Sequence, residues 1–140
     1  MMEIRVDRRS KEVLLRIPKL VREYPERIEQ ALKDIGVDVV DEVRKLIRTG
    51  KKTGRIYNFR GRRHQASAPW QAPANRTGKL AKSSNYAVRN AQEMAIGETV
   101  DYALFLEMGT RKMMLRPHII TAIHNRAGST YQILEKAGEI

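Results

Sequence analysis

The chain has no cysteine. That excludes disulfides and any Cys-ligated zinc, and it suits folding in a reducing compartment. No run of about 18 apolar residues is present, so no membrane span is expected. The opening residues, Met1-Met2-Glu3-Ile4-Arg5, lack the apolar core of a signal peptide. Aromatic residues are few, so the three that share one basic stretch, Tyr57, Phe59 and Trp70, stand out. The most informative absence is of acid: no Asp or Glu occurs between Val43 and Gln92.

That acid-free block carries thirteen Lys and Arg, while the rest of the chain has fourteen basic and sixteen acidic residues. The whole excess behind the net charge of +11 therefore sits in one stretch. Such a block calls for an anionic partner or stays solvated and self-repelling.

At 140 residues the chain is expected to form a single domain with a real core. Residues 1–23 read as an N-terminal arm and a short helix. Ser10 is placed to cap that helix, and Pro18 to kink or interrupt it. Pro25 opens a long helix at its first position, with Glu26 early and Lys45 and Arg48 late, matching the helix dipole. Ile28, Leu32, Ile35, Val39, Val43, Leu46 and Ile47 form its apolar stripe. Gly36 within it marks a close contact or a bend.

Residues 50–76 read as an extended basic loop, in which Arg55 to Arg60 has the pattern of a strand or half of a hairpin. Two readings stay open: a solvated loop with Trp70 tucked onto the core, or an arm that orders against a neighbour. Thr77 to Lys82 suits one helical turn. Asn85–Arg89 and Glu93–Gly97 read as a β-hairpin.

Tyr102 to Pro117 predicts a short helix, a stop at Gly109, a connector and a last helix from Pro117 to about Lys136. Asp101 is expected to cap the short helix. Glu107 and Arg111 are expected to bond across the stop. Ile120, Ile123, Ala127, Tyr131 and Leu134 are the expected buried stripe of the last helix. The fold class is α+β: two long helices packed on a small antiparallel β-sheet, with a long basic loop.

No catalytic constellation is visible, so the chain reads as not an enzyme, with no cofactor and no metal. His118 and His124 are six apart and point in different directions on a helix, and His64 has no carboxylate nearby in sequence. Glu107 reads as a structural carboxylate held by Arg111 or a backbone N–H. Met108, Met113 and Met114 are core filler or an adaptable contact surface.

The pattern Tyr102-Ala103-x-x-x-Glu107-x-Gly109-Thr110-Arg111, followed by Met and by Arg116-Pro117, resembles the tail-completion (head–tail joining, or neck) family of long-tailed bacteriophages and prophages. A second block resembles the family too: Ser67-Ala68-Pro69, then Pro73-Ala74-Asn75-Arg76-Thr77-Gly78-Lys79-Leu80. Trp70-Gln71 stands where the family usually has Gly-Glu. The resemblance spans roughly residues 25–137.

It implies a virion protein at the head–tail interface, present in the host cytoplasm before assembly. It also implies a ring, commonly of six subunits, between the head connector or adaptor and the tail tube or tail terminator, with no membrane partner. Arg55, Tyr57, Phe59, Arg60, Arg62, Arg63, Trp70, Met113 and Met114 are the expected partner and subunit contacts, with DNA in the channel as a further anionic partner. Tyr102, Glu107, Gly109, Thr110, Arg111, Arg116 and Pro117 are the expected structural motif. The alternative is a basic nucleic-acid-binding protein without catalytic activity, although no helix-turn-helix, RNA-recognition or zinc-finger pattern is present.

Overall fold

The computed structural model describes residues 8–139, with side chains from residue 16 onward. The arm expected at residues 1–7 lies outside the described residues. Helix α1 (Arg8–Glu23) runs unbroken across Pro18. Ser10 lies inside this helix rather than ahead of it.

Helix α2 (Pro25–Thr49) is the spine. Proline sits at its start and Gly50 follows its end, as the sequence predicts. Its stripe buries Ile28, Ile35, Val39, Val43 and Ile47. Against the stripe lie β3 (Ser84–Asn90) and β4 (Glu93–Glu98), an antiparallel hairpin that pairs Tyr86 with Ile96 and Val88 with Met94. The short α3 (Lys79–Ser83) buries Leu80 and Ala81 in the same core. Arg44 of α2 reaches across, donating to the Ala81 carbonyl at 3.3 Å and the Ser84 carbonyl at 2.9 Å.

Gly36 is the close contact that its position in the helix suggests. A Cβ there would lie 2.5 Å from the Tyr86 ring, so the glycine lets the sheet seat directly on the helix backbone.

The segment read as an extended loop, residues 50–76, is largely a second hairpin. β1 (Ile56–Phe59) pairs antiparallel with β2 (Arg62–Gln65). Arg60 and Gly61 make the turn with φ of 50° and 75°, the left-handed pair that matches strand twist in two-residue loops. The described residues thus hold two separate two-stranded sheets rather than one.

Helix α4 (Ala103–Met108) ends at Gly109 as predicted. The last long helix does not form as one piece. It starts at Ile119, two residues beyond Pro117, and divides into α5 (Ile119–Asn125) and α6 (Ala127–Gly138). The break falls at Arg126, whose guanidinium grips Asp38 of α2 at 2.6 and 2.9 Å and holds that carboxyl below its ordinary pKa. In α5 the buried stripe is also out of phase with the expectation, whereas in α6 Ala127, Tyr131 and Leu134 are half-buried and Leu134 packs on the core as expected. Ala122 is fully buried and Ile119 packs on the core, while Ile120 and Ile123 face outward. The class is α+β, with six helices among the described residues.

Gly36→Ala sets two effects against each other: a helix-propensity gain of about 1 kcal/mol and overpacking against Tyr86 of about 1–3 kcal/mol. The expected result in urea unfolding is net destabilisation in the native background. In a Tyr86→Ala background the same change should stabilise the protein. Identical effects in both backgrounds would show that the ring contact does not govern this position.

Candidate functional site

Helix α5 begins with no side-chain cap of its own, and His118 occupies the capping position. Its first N–H groups need acceptors. Glu107 of α4 supplies them from eleven to thirteen residues away. One carboxylate oxygen accepts the N–H of His118 at 2.9 Å and of Ile119 at 3.1 Å, and the other accepts that of Ile120 at 3.0 Å. The negative group also meets the positive end of the helix.

The connector between α4 and α5 makes this reach possible. Gly109 takes φ of 77°, and a Cβ there would lie 2.9 Å from the Leu115 nitrogen and 3.0 Å from the Met113 oxygen. Both conformation and space demand glycine. The Thr110 hydroxyl accepts from the Met113 N–H at 3.1 Å, closing a small turn. The Arg116 N–H then donates to the Leu106 carbonyl at 2.6 Å, drawing the chain back onto α4.

His118 sits at the centre of this corner with no exposure. Its Nδ1 is 3.0 Å from Glu107 and from the Arg116 carbonyl, and its Nε2 is 2.8 Å from Glu98, a fully buried carboxylate at the end of β4. Burial by itself lowers a histidine pKa, but hydrogen bonds to Glu107 and Glu98 outweigh it and raise this one to about 9. Burial likewise pushes Glu107 upward. Its bonds to the His118 ring and to three backbone N–H groups reverse that and hold it at about 2. The corner is closed by a buried imidazolium between two carboxylates.

Two expectations change here. Glu107 does not bond Arg111, which is exposed, because the uncapped start of α5 claims the carboxylate. Asp101 gives no cap to α4, whose start has no side-chain cap bond. The backbone-N–H reading of Glu107 holds. Sequence reading missed His118 and Glu98. The available signal was the lack of a Ser, Thr, Asp or Asn ahead of Ile119, which obliges a remote group to serve that helix end.

The basic hairpin is fixed at its base by polar staples. The Lys52 ammonium donates to the Leu46 carbonyl at 3.0 Å and the Ala72 carbonyl at 2.7 Å, and burial lowers its pKa. Gln71 accepts the N–H groups of Thr53 and Ala68 at 3.0 and 2.9 Å. The Trp70 N–H donates to the Leu115 carbonyl at 3.0 Å, so the loop is stitched to the motif corner. Trp70 itself is 65% exposed and has φ of 67°, a strained conformation for a bulky residue. It is not tucked onto the core.

Along the hairpin, Arg55, Arg60, Arg62 and Arg63 are exposed and have no carboxylate partner among the described residues. Phe59 is flanked by the guanidiniums of Arg76 at 4.4 Å and Arg60 at 5.3 Å. The Tyr57 and His64 rings meet edge to face at 5.2 Å.

Beside the corner lies an apolar surface that the pattern reading assigned partly to the core. Leu104, Phe105, Met108, Met114, Ile120 and Ile123 are all exposed, Met108 to 72%. Met113 is half-buried. Through the Glu107 carboxylate, which accepts the Ile120 N–H, α4 is tied to the start of α5. Among the described residues no three or more His, Asp or Glu are placed to hold a metal, and no helix is long and apolar enough to cross a membrane.

No protein-family model, no curated protein and no solved structure matches the chain.

The buried cluster predicts how stability follows pH. The pKa of His118 is raised above its ordinary 6.5, so its contribution is complete below about 6.5 and lost as pH rises through about 9. Glu107 is lowered from 4.5, so its contribution is complete above about 4.5 and lost as pH falls toward about 2. Urea midpoints should therefore plateau between these limits and decline on both sides. Glu107→Ala should cost about 3–5 kcal/mol at pH 6, the range for breaking a buried pair. An unchanged alkaline limb in a His118→Gln variant would show that another group sets it.

Proposed function

We propose that this chain is a structural protein of a bacteriophage head–tail interface, acting in the virion by binding rather than by turnover. It assembles as a ring, commonly of six subunits, that joins the head connector or adaptor to the tail tube or terminator. The observation that carries the reading is the exposed apolar face around the motif corner. Large apolar side chains clustered on a surface mark an interaction site, since a monomer gains nothing by wetting them. The polar corner beneath them is held by the hydrogen bonds of Glu107 and His118, so the face is presented on a rigid support. Each subunit would meet its neighbours head to tail, with a rotation that closes. The hairpin offers a second contact, toward acidic protein surfaces or the DNA in the channel.

One observation favours the alternative of nucleic-acid binding. Between the hairpin and the Arg76-Thr77 segment lies an open cleft lined by Phe59, Arg60, Arg62, Arg63, His64 and Arg76. This basic groove contains an aromatic ring and no carboxylate. The salt dependence separates the two. A binder that neutralises several phosphates loses about 10³–10⁵ in affinity between 50 and 200 mM salt yet retains measurable binding.

The decisive experiment is electron microscopy of particles made with and without the protein, from a genome that carries it. Without it, filled heads and finished tails should remain unjoined. Paired Leu104→Ser and Phe105→Ser changes should give the same defect in a chain that still folds by circular dichroism. Trp70→Gly should leave the melting temperature unchanged or higher, because it relieves a left-handed strain of about 1–2 kcal/mol, while reducing the yield of joined particles. Normal particles in the absence of the protein would remove the assembly reading.

A further inference from the structure

A second cavity, sharing His64, Arg76 and Thr77 with the hairpin cleft, has a volume near 270 Å³. The two sequence blocks singled out above, residues 67–80 and 102–117, meet around it, and β1 and β2 close its third side. Its polar lining includes Tyr57, His64, Arg76 and Arg116, with Ser67, Asn75, Thr77 and Tyr102, and no Asp or Glu contributes to it. Leu80 and Leu106 supply apolar wall.

Two features give this cavity a chemical preference. Arg116 Nη1 is buried and has no hydrogen-bond partner. A buried guanidinium N–H without an acceptor is costly, and native structures rarely leave one so unless something else fills the need. Arg76 is held in place by stacking on Phe59 at 4.4 Å, and it donates to the Tyr57 hydroxyl at 3.5 Å. The Tyr57 oxygen therefore accepts from Arg76 and keeps its own proton to donate. The polar wall thus carries several donors and no anion of its own.

We propose that this cavity receives one acidic side chain, Glu or Asp, from a neighbouring protein in the assembled particle. Arg116 and Arg76 bind its carboxylate, and Leu80 and Leu106 pack on its methylene stem. Arginine suits this task because its planar fork matches a carboxylate. The volume favours a side chain over a nucleotide, since sites for whole small molecules run from about 300 Å³ upward. Leu80 and Leu106 in its wall match the methylene stem of a side chain, which a phosphodiester group lacks. The proposal rests on the assembly reading for its partner, but the site itself is testable in the isolated chain.

The test is a titration of the full chain followed by ¹H–¹⁵N NMR. Glutarate is the probe, and sodium chloride at matched ionic strength and inorganic phosphate are the comparisons. Glutarate should produce saturable shifts at the Arg116 and Arg76 side chains and at the Asn75 and Thr77 amides. Arg76→Gln, at an exposed position, should weaken this binding at least tenfold, as should Arg116→Gln. Arg89→Gln, at a surface pair with Glu93, should leave it unchanged. The proposal is overturned if the shifts do not saturate, if Arg76→Gln binds glutarate as well as the native chain, or if phosphate binds these residues more tightly than glutarate. Each such result would leave the particle-joining experiment to be judged separately, because the probe needs no ring.

Discussion

A carboxylate that serves three backbone N–H groups and an imidazole at once is the constraint on which this structure depends. Glu107 belongs to a six-residue helix, but its acceptors are used by the start of another. Through His118 the same charge is tied to Glu98 at the end of β4. Three consecutive elements, β4, α4 and α5, are thereby locked into one geometry. The lock fixes the rotation of α5, which turns Ala122 inward and leaves Ile120 and Ile123 outward. The apolar face beside the corner is thus a consequence of polar chemistry beneath it. A locally capped α5 would have been free to bury the other stripe.

The positive charge divides into two populations with different duties. Arg44 and Lys52 donate to main-chain carbonyls, the first fastening α3 and β3 to the spine and the second closing the end of α2. Their charge is used as hydrogen bonding within the fold. Arg55, Arg60, Arg62 and Arg63 have no such employment. Counting charges along the chain cannot separate these groups, because both lie in the same acid-free block.

Much of the scaffold was legible in the sequence. The stripe of α2, its proline start, the hairpin of Tyr86 and Met94, and the Gly109 stop each follow from a local rule of period or backbone freedom. The contact at Gly36 was legible as a position, though not as a ring of Tyr86. What failed was non-local. Pro117 looks like a helix start because proline suits that position, yet the chain uses it as connector while Glu107 sets the true start two residues on. The stripe through Ile120 and Ile123 has sound helical spacing, but spacing alone does not say which face a neighbour will cover. Trp70 was ambiguous because neither its strain nor its exposure has any sequence signature. The unpartnered nitrogen of Arg116 is likewise a fact of three-dimensional packing.

The second hairpin stands apart mechanically. β3 and β4 lie along α2, whereas β1 and β2 pair with each other and have no broad packing against any helix. Strands of four residues reach about 13 Å; the Lys52 and Gln71 staples hold the base, and nearer the tip the contact is the Arg76 side chain on Phe59 and Tyr57. The hairpin is therefore a short lever. A tilt of about 10° at the staples carries the tip by about 2 Å at that length. Surfaces met by the tip can vary in position by that amount without any change in the core, whereas a surface met by the corner has to match a face that does not yield.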